Sequence, residues 1–298
     1  MSVRATSDIC GQGSDQDAAF YCCSEDLQYG IVYDGHGHSD CIAKLKVLHT
    51  LDAKGNHSDL ASSVLVDPQP ANRIFEHVMD CEGGAMMNMV CIKPQCIENY
   101  NVGDTQSWIY AINEAGEVEL VHESHAHASA RPAADELKRL ESSVGNVAPY
   151  VTSTRSITLL DDETFALERE YQLYRDFGQG VRLATTQSLG HKGVTGCAPH
   201  TMRISRTANS RYVCILVSDG VTQVLTRAGI EQLYREHRAQ FTAEHVVTRA
   251  QAQWRKTWRV IDRLAGNRPV WRKFPTSNLD DVSAVVMHVP APAPDPPF

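Results

Sequence analysis

The spacing of apolar and polar positions divides the chain into clusters of strands separated by two groups of helices. Residues 17–22 and 28–33 alternate as a hairpin around the polar turn Ser24-Glu25-Asp26. Ile42, Leu45 and Leu48 share one face of a helix expected over 40–51, with Ser39 placed to cap it. Asp67-Pro68-Gln69-Pro70 opens a second helix that runs to about Cys81 and stops at Gly83-Gly84. Residues 85–92, 107–112 and 117–121 read as strands, the last two joined by Glu114-Ala115-Gly116. A short helix is expected from Ala133 to Ser142, and the polar stretch 150–180 has no clear periodicity. Strands over 201–205 and 212–218 precede helices over 227–239 and 242–265, and a last strand covers 282–289. In the second of these helices Trp254, Trp258 and Ile261 fall on one face. Clustered strands without regular βαβ alternation favour an α+β domain over 1–289, followed by a Pro-rich tail over 290–298.

Three strand ends carry aspartate. They are Tyr33-Asp34-Gly35-His36-Gly37, Val217-Ser218-Asp219-Gly220 and Leu279-Asp280-Asp281-Val282. Carboxylates gathered at one sheet edge repel unless a cation neutralises them, and oxygen ligands of this kind suit magnesium or manganese. Metal-assisted hydrolysis is the chemistry this pattern suggests.

Composition narrows the remaining classes. The 298 residues suffice for a sizeable core, and a net charge of -8 argues against general nucleic-acid binding. No apolar run is long enough for a membrane span, and the N-terminal residues lack the apolar stretch of a secretory signal. Nine scattered cysteines without a C-x-x-C pair favour free thiols in a reducing, intracellular compartment, with Cys22-Cys23 read as buried packing. His122, His125 and His127 invite a zinc site but lack a fourth ligand at a known spacing, so a solvated loop is expected there. The Gly-rich loop at Asp34 lacks the lysine-bearing phosphate cradle of nucleotide-binding turns. The basic stretch from Arg249 to Lys273 reads as a helix with its aromatic face on a sheet and its cations in water, or as a surface attracting acidic or phosphorylated proteins.

The ordered motifs resemble those of the metal-dependent type 2C serine/threonine phosphatases over about residues 8–289. Asp15-Gln16-Asp17 resembles the family's Asn-Glu-Asp opening, and Asp34-Gly35-His36-Gly37 matches its Asp-Gly-His-Gly. Gly83-Gly84-Ala85 is similar to its Gly-Ser-Thr turn, and Asn101-Val102-Gly103-Asp104-Thr105 to its Asn-Val-Gly-Asp-Ser. Thr186-Gln187-Ser188-Leu189-Gly190 resembles Ser-Arg-Ala-Leu-Gly, Ser218-Asp219-Gly220-Val221 matches Ser-Asp-Gly-Leu, and Asp280-Asp281-Val282-Ser283 resembles Asp-Asn-Met-Thr. The fold this implies is two packed antiparallel β-sheets flanked by α-helices.

The resemblance implies two magnesium or manganese ions bridged by Asp34, with the Gly35 carbonyl, Asp219 and Asp280 as further ligands. It implies that Asp17 holds ion-bound waters and that Asp104, with Asp219, contributes to a third, weaker site. The implied reaction is attack of a metal-bridging hydroxide on the phosphoserine or phosphothreonine of a protein substrate, with no phospho-enzyme and with His36 as general acid. The chain departs from the family at the phosphate-gripping arginine, which becomes Gln12, and at Gln16, Gln106, Gln187, His191 and Gln223. A neutral Gln12 grips phosphate less firmly than arginine. A catalytically weak module that binds a signalling protein is therefore the competing function, and a small-molecule phosphomonoesterase the third.

Overall fold

The computed structural model describes residues 2–11, 16–23, 28–50, 64–65, 67–127, 136, 138–139, 142, 149–177, 180–263, 266–274 and 279–292. Two sheets pack face to face. The first has the strand order β1 (Arg4–Cys10), β16 (Val282–Val289), β13 (Arg211–Val217), β6 (Gln106–Ile112) and β7 (Val118–Glu123), all antiparallel. The second has the order β12 (His200–Ser205), β5 (Cys96–Val102), β4 (Gly84–Ile92), β3 (Gln28–His36) and β2 (Asp17–Cys23), with the two-residue β11 (Leu189–Gly190) also on β4.

Alternation along the strands divides the apolar side chains among three cores. Val32, Val90, Ile97, Ile109, Cys214, Leu216, Val285 and Met287 fill the space between the sheets. The other face of the second sheet, with Ile31, Tyr33, Met87 and Met89, is covered by α1 (Asp40–Leu48) and α2 (Pro70–Val78) through Leu45 and Ile74. The other face of the first sheet, with Trp108, Val213, Ile215 and Val286, is covered by the one-turn α3 (Asp219–Thr222), α4 (Arg227–His237) and α5 (Ala243–Arg255). Helix, sheet, sheet and helix form four layers, as the resemblance implies. Gly30 marks how closely the sheets approach: a Cβ there would lie 2.7 Å from Val285 Cγ1.

A third sheet extends this frame. The aperiodic 150–180 stretch forms most of a long hairpin, β8 (Pro149–Asp161) and β9 (Thr164–Asp176). β9 also pairs with β10 (Arg182–Leu183) and, in parallel, with β14 (Thr257–Asp262), which pairs with β15 (Arg268–Lys273).

The helix expected over 242–265 therefore ends at Arg255. Lys256 turns extended (φ -74°, ψ 166°), and Thr257, Val260 and Ile261 supply the β-branched residues that favour a strand. Trp254 and Trp258 are both buried, one on the helix and one on the strand, rather than on a shared helical face. The cations at Arg259, Arg268, Arg272 and Lys273 thus stand on strands.

Ser39 makes no side-chain cap. Instead Asp40, the first helical residue, accepts from the backbone N–H groups of Cys41, Glu82 and Gly83. Cys23 is exposed, contrary to the packing role expected for Cys22-Cys23. The histidine run expected in a solvated loop begins inside β7, and His122 on the strand and His127 beyond it are both buried. Most of the helix expected over 133–142 and the tail beyond 292 lie outside the described residues. No described helix is long and apolar enough to cross a membrane.

Candidate active site

One edge of the sandwich collects the ends of four long strands. β2 and β3 pair so that Asp17 stands directly opposite Asp34. The Gly35 N–H donates to the Gln16 carbonyl at 3.1 Å, and a Cβ on Gly35 would lie 2.5 Å from that oxygen, so only glycine lets the two chains close here. From the other sheet, β13 ends at Val217 and passes through Ser218 into Asp219, whose N–H donates to Asp34 Oδ2 at 3.4 Å. Asp280 and Asp281 lie just before β16. The Ser218 N–H donates to the Ser283 carbonyl and the Ser283 N–H to Ser218 Oγ, each at 3.1 Å, which ties these two strand ends together. Asp104 lies in the short connection that carries the chain from β5 in one sheet to β6 in the other.

The carboxylates perturb one another. Burial, then the charges of Asp219 and Asp17, raise Asp34 well above the ordinary carboxylate range. Asp17, only 4% exposed, is pushed up to about 7 by burial and by the Asp281 and Asp219 charges, with the Ser218 and Ser283 hydroxyls opposing. Burial and then Asp219 lift Asp104 to about 7 and Asp280 to about 6. The five aspartates expected from the sequence thus form one electrostatic cluster. Gln12 lies outside the described residues.

Whether this cluster suits a hard cation can be judged from its donors. Every side-chain donor among Asp17, Asp34, Asp104, Asp219 and Asp280 is oxygen. Asp17 Oδ2 is buried without a hydrogen-bond partner, the kind of acceptor that an ion or its water would satisfy. The Gln223 amide N–H group donates to Asp219 Oδ2 at 2.8 Å and Asp280 Oδ2 at 3.2 Å, standing between two carboxylates where positive charge is wanted. Among the described residues no three His, Cys, Asp or Glu side chains already stand in metal-ligating geometry. The residue types and the orphaned oxygen fit hard divalent ions, with some carboxylate rearrangement on binding.

His36, at the end of β3, faces residues that the sequence reading did not assign to the site. Its Nε2 lies 3.2 Å from Ser188 Oγ, and its ring centroid is 4.9 Å from that of His191. Burial, then the neighbouring His191, holds His36 down at about 4. The His191 Nδ1 is 3.1 Å from the Glu82 carbonyl, while its Nε2 is buried without a partner. Gly84 makes room for both rings, since a Cβ there would lie 2.3 Å from His191 Nε2 and 2.7 Å from His36 Nε2. A groove of about 540 Å³ opens beside them, with His36, His191, Glu82, Arg182 and Lys192 in its walls.

Asp281 is a second unassigned member. It is 2% exposed, and its Oδ2 accepts from the N–H of Gln16, the residue next to Asp17, at 2.9 Å. The signal was its adjacency to Asp280. Ser188 and His191 lie within or next to a motif but gave no chemical signal of their own, because only the short β11 pairing brings them to Gly84. In the His122, His125 and His127 run, His125 is exposed and the other two make buried hydrogen bonds: His122 Nε2 bonds Asn99 Oδ1 at 3.0 Å, and the Gly103 N–H reaches His127 Nδ1 at 3.1 Å.

The four layers and this acidic edge give the chain a type 2C phosphatase-like fold. No family model and no curated protein sequence matches it. Solved structures do. The serine-threonine phosphatase 2C of Toxoplasma gondii superposes with a TM-score of 0.57 at 16% identity, covering 97% of this chain and 94% of that one. A sex-determining protein of C. elegans gives 0.55 at 17% identity, covering 98% of this chain but only 66% of that one. The S. agalactiae serine/threonine phosphatase gives 0.51 at 15% identity, covering 97% and 100%. At these identities the likeness is one of fold.

Proposed function

We propose that this protein is a divalent-metal-dependent protein serine/threonine phosphatase. The observation that carries the proposal is the convergence of Asp17, Asp34, Asp104 and Asp280, whose proton affinities are raised, around the charge of Asp219, beside a buried histidine and an open groove. Asp34, the Gly35 carbonyl, Asp219 and Asp280 would hold two magnesium or manganese ions, with Asp17 on their waters and Asp104 at a third position. When bound, the ions supply charge to neutralise the phosphate and an acidified water for in-line attack on phosphorus.

The chain's own groups do the rest. Asp34 and Asp219 are fixed on strand ends of opposite sheets, so the sandwich sets their separation. His36 is neutral as it stands, and a phosphate dianion entering the groove favours its protonated form. A proton on Nε2 is then available to the departing serine or threonine oxygen. Ser188 Oγ and the Asp34 backbone fix the ring. Arg182 and Lys192 stand on the groove walls, paired with Asp176 at 3.1 Å and with Glu82 at 3.2 Å, so a phosphorylated chain would compete with those carboxylates for them.

The test compares a phosphothreonine peptide with a small aryl phosphate and with metabolite phosphates. A clear preference for the peptide supports a protein phosphatase, and hydrolysis confined to metabolite phosphates overturns it. One observation favours a second reading. Gln223 already occupies hydrogen-bonding positions on Asp219 and Asp280, as would suit a metal-poor module that binds a signalling protein. Absence of saturable manganese binding in the folded protein would select it.

A further inference from the structure

A second cavity lies at the opposite end of the first sheet. Its volume is about 790 Å³, and Arg4, Arg211, Arg235 and Arg238 line it together with His288. Among the described residues no carboxylate lines it, although the chain carries a net charge of -8. Among the described residues Arg4, Arg211 and Arg238 make no ion pair, and Arg235 reaches only Glu231, at 3.4 Å.

The register shows why these cations converge. Arg4 pairs with His288, and His288 with Val213 on the next strand. Arg211 lies two residues before Val213 and so shares its face. That face is the one covered by helices, and further along it the same rows carry Val286, Ala284, Ile215 and Val217. Arg4, His288 and Arg211 therefore replace apolar residues just where the helical cover ends. The cover ends in Tyr234 and Arg235 of α4 and in Arg238, which holds a positive φ of 45° that side chains rarely adopt. Burial lowers the His288 imidazole, its contact with the Phe241 carbonyl opposes that, and the Arg4 and Arg211 charges add to the lowering.

Ile112, Val118, Val213, Tyr234 and Val289 supply apolar wall. A cavity of this volume suits a small molecule, and guanidinium groups match phosphate oxygens in pairs. Arg211 begins the strand whose far end leads into Asp219, so about 20 Å of strand separates the cavity from the acidic edge. We propose that this arginine-lined cavity is a binding site, separate from the acidic edge, for a compact molecule bearing two or more phosphate groups.

The test is calorimetric titration of the whole protein with pyrophosphate in EDTA, where the metal-free acidic edge repels anions. Saturable one-to-one binding is expected, tighter than for orthophosphate at matched ionic strength. The Arg4→Gln/Arg211→Gln double variant should bind at least ~10-fold more weakly, and Arg4→Lys/Arg211→Lys should retain part of the loss. Melting temperatures of the free variants check folding, and Arg238→Gln on an exposed turn carries the test if the double variant does not fold. No saturable binding, equal binding of orthophosphate, or binding lost in Lys192→Gln but kept in the arginine variants would overturn the proposal. None of these readouts depends on hydrolytic activity.

Discussion

Asp17→Asn should stabilise the metal-free protein at alkaline pH and leave it nearly unchanged in acid. Asp17 is buried opposite Asp34, and its acidity drops from an ordinary 3.8 to about 7. Between those values the folded chain holds a proton that the unfolded chain releases, so stability is fully present below about pH 3.8 and is lost as pH rises through 7. The gap, at about 1.4 kcal/mol for each pH unit, amounts to on the order of 4 kcal/mol. Asparagine carries no such cost. Urea unfolding in EDTA at pH 8 should show the variant more stable by on the order of 2–4 kcal/mol, and at pH 4 the two should agree within about 1 kcal/mol. Manganese at pH 8 should raise the stability of the parent more than that of the variant. An equal change at both pH values, or a variant less stable at pH 8, would refute the idea that unrelieved carboxylate charge dominates this edge.

Other substitutions probe the supports of the site. Gly84→Ala should press a Cβ onto the His36 and His191 rings, costing about 1–3 kcal/mol in thermal or urea unfolding and lowering hydrolysis more than manganese affinity. Trp254→Phe removes the 2.8 Å bond from the indole Nε1 to the Gly220 carbonyl and should cost about 1–2 kcal/mol by urea unfolding, with weaker manganese binding as the Asp219 turn loosens. Asn99→Ala breaks the buried chain linking Asn88, Asn99 and His122, and calorimetric unfolding should report a loss of about 1–3 kcal/mol.

Much of the frame was legible in the sequence, and the reasons for the gaps are specific. The last strand is legible over 282–289, because six of its eight residues are apolar and four of them are valine. β5 was missed because Glu98, Asn99 and Asn101 look like loop residues. They are buried in the sheet because Asn88, Asn99 and Asn101 satisfy one another, with Asn99 Nδ2 reaching Asn88 Oδ1 at 2.7 Å. β1 was missed because its residues are mostly half-exposed at a sheet edge. The β8–β9 hairpin gave no alternation, and its place in a sheet depends on β14, which helical periodicity around Trp254 and Trp258 concealed. At the site, Asp34, Asp219 and Asp280 are legible from residue type and strand-end position, whereas Asp17 and Asp104 enter only through the family resemblance. Asp281, Ser188 and His191 acquire their roles only from contacts across the fold.

The most direct test of the proposed reaction is hydrolysis of a phosphothreonine peptide with manganese, with and without chelator, beside Asp219→Asn. The proposed reaction predicts turnover that needs manganese, stops with chelator and is lost in the variant. Turnover no greater than that of Asp219→Asn, in protein shown to be folded, would contradict it.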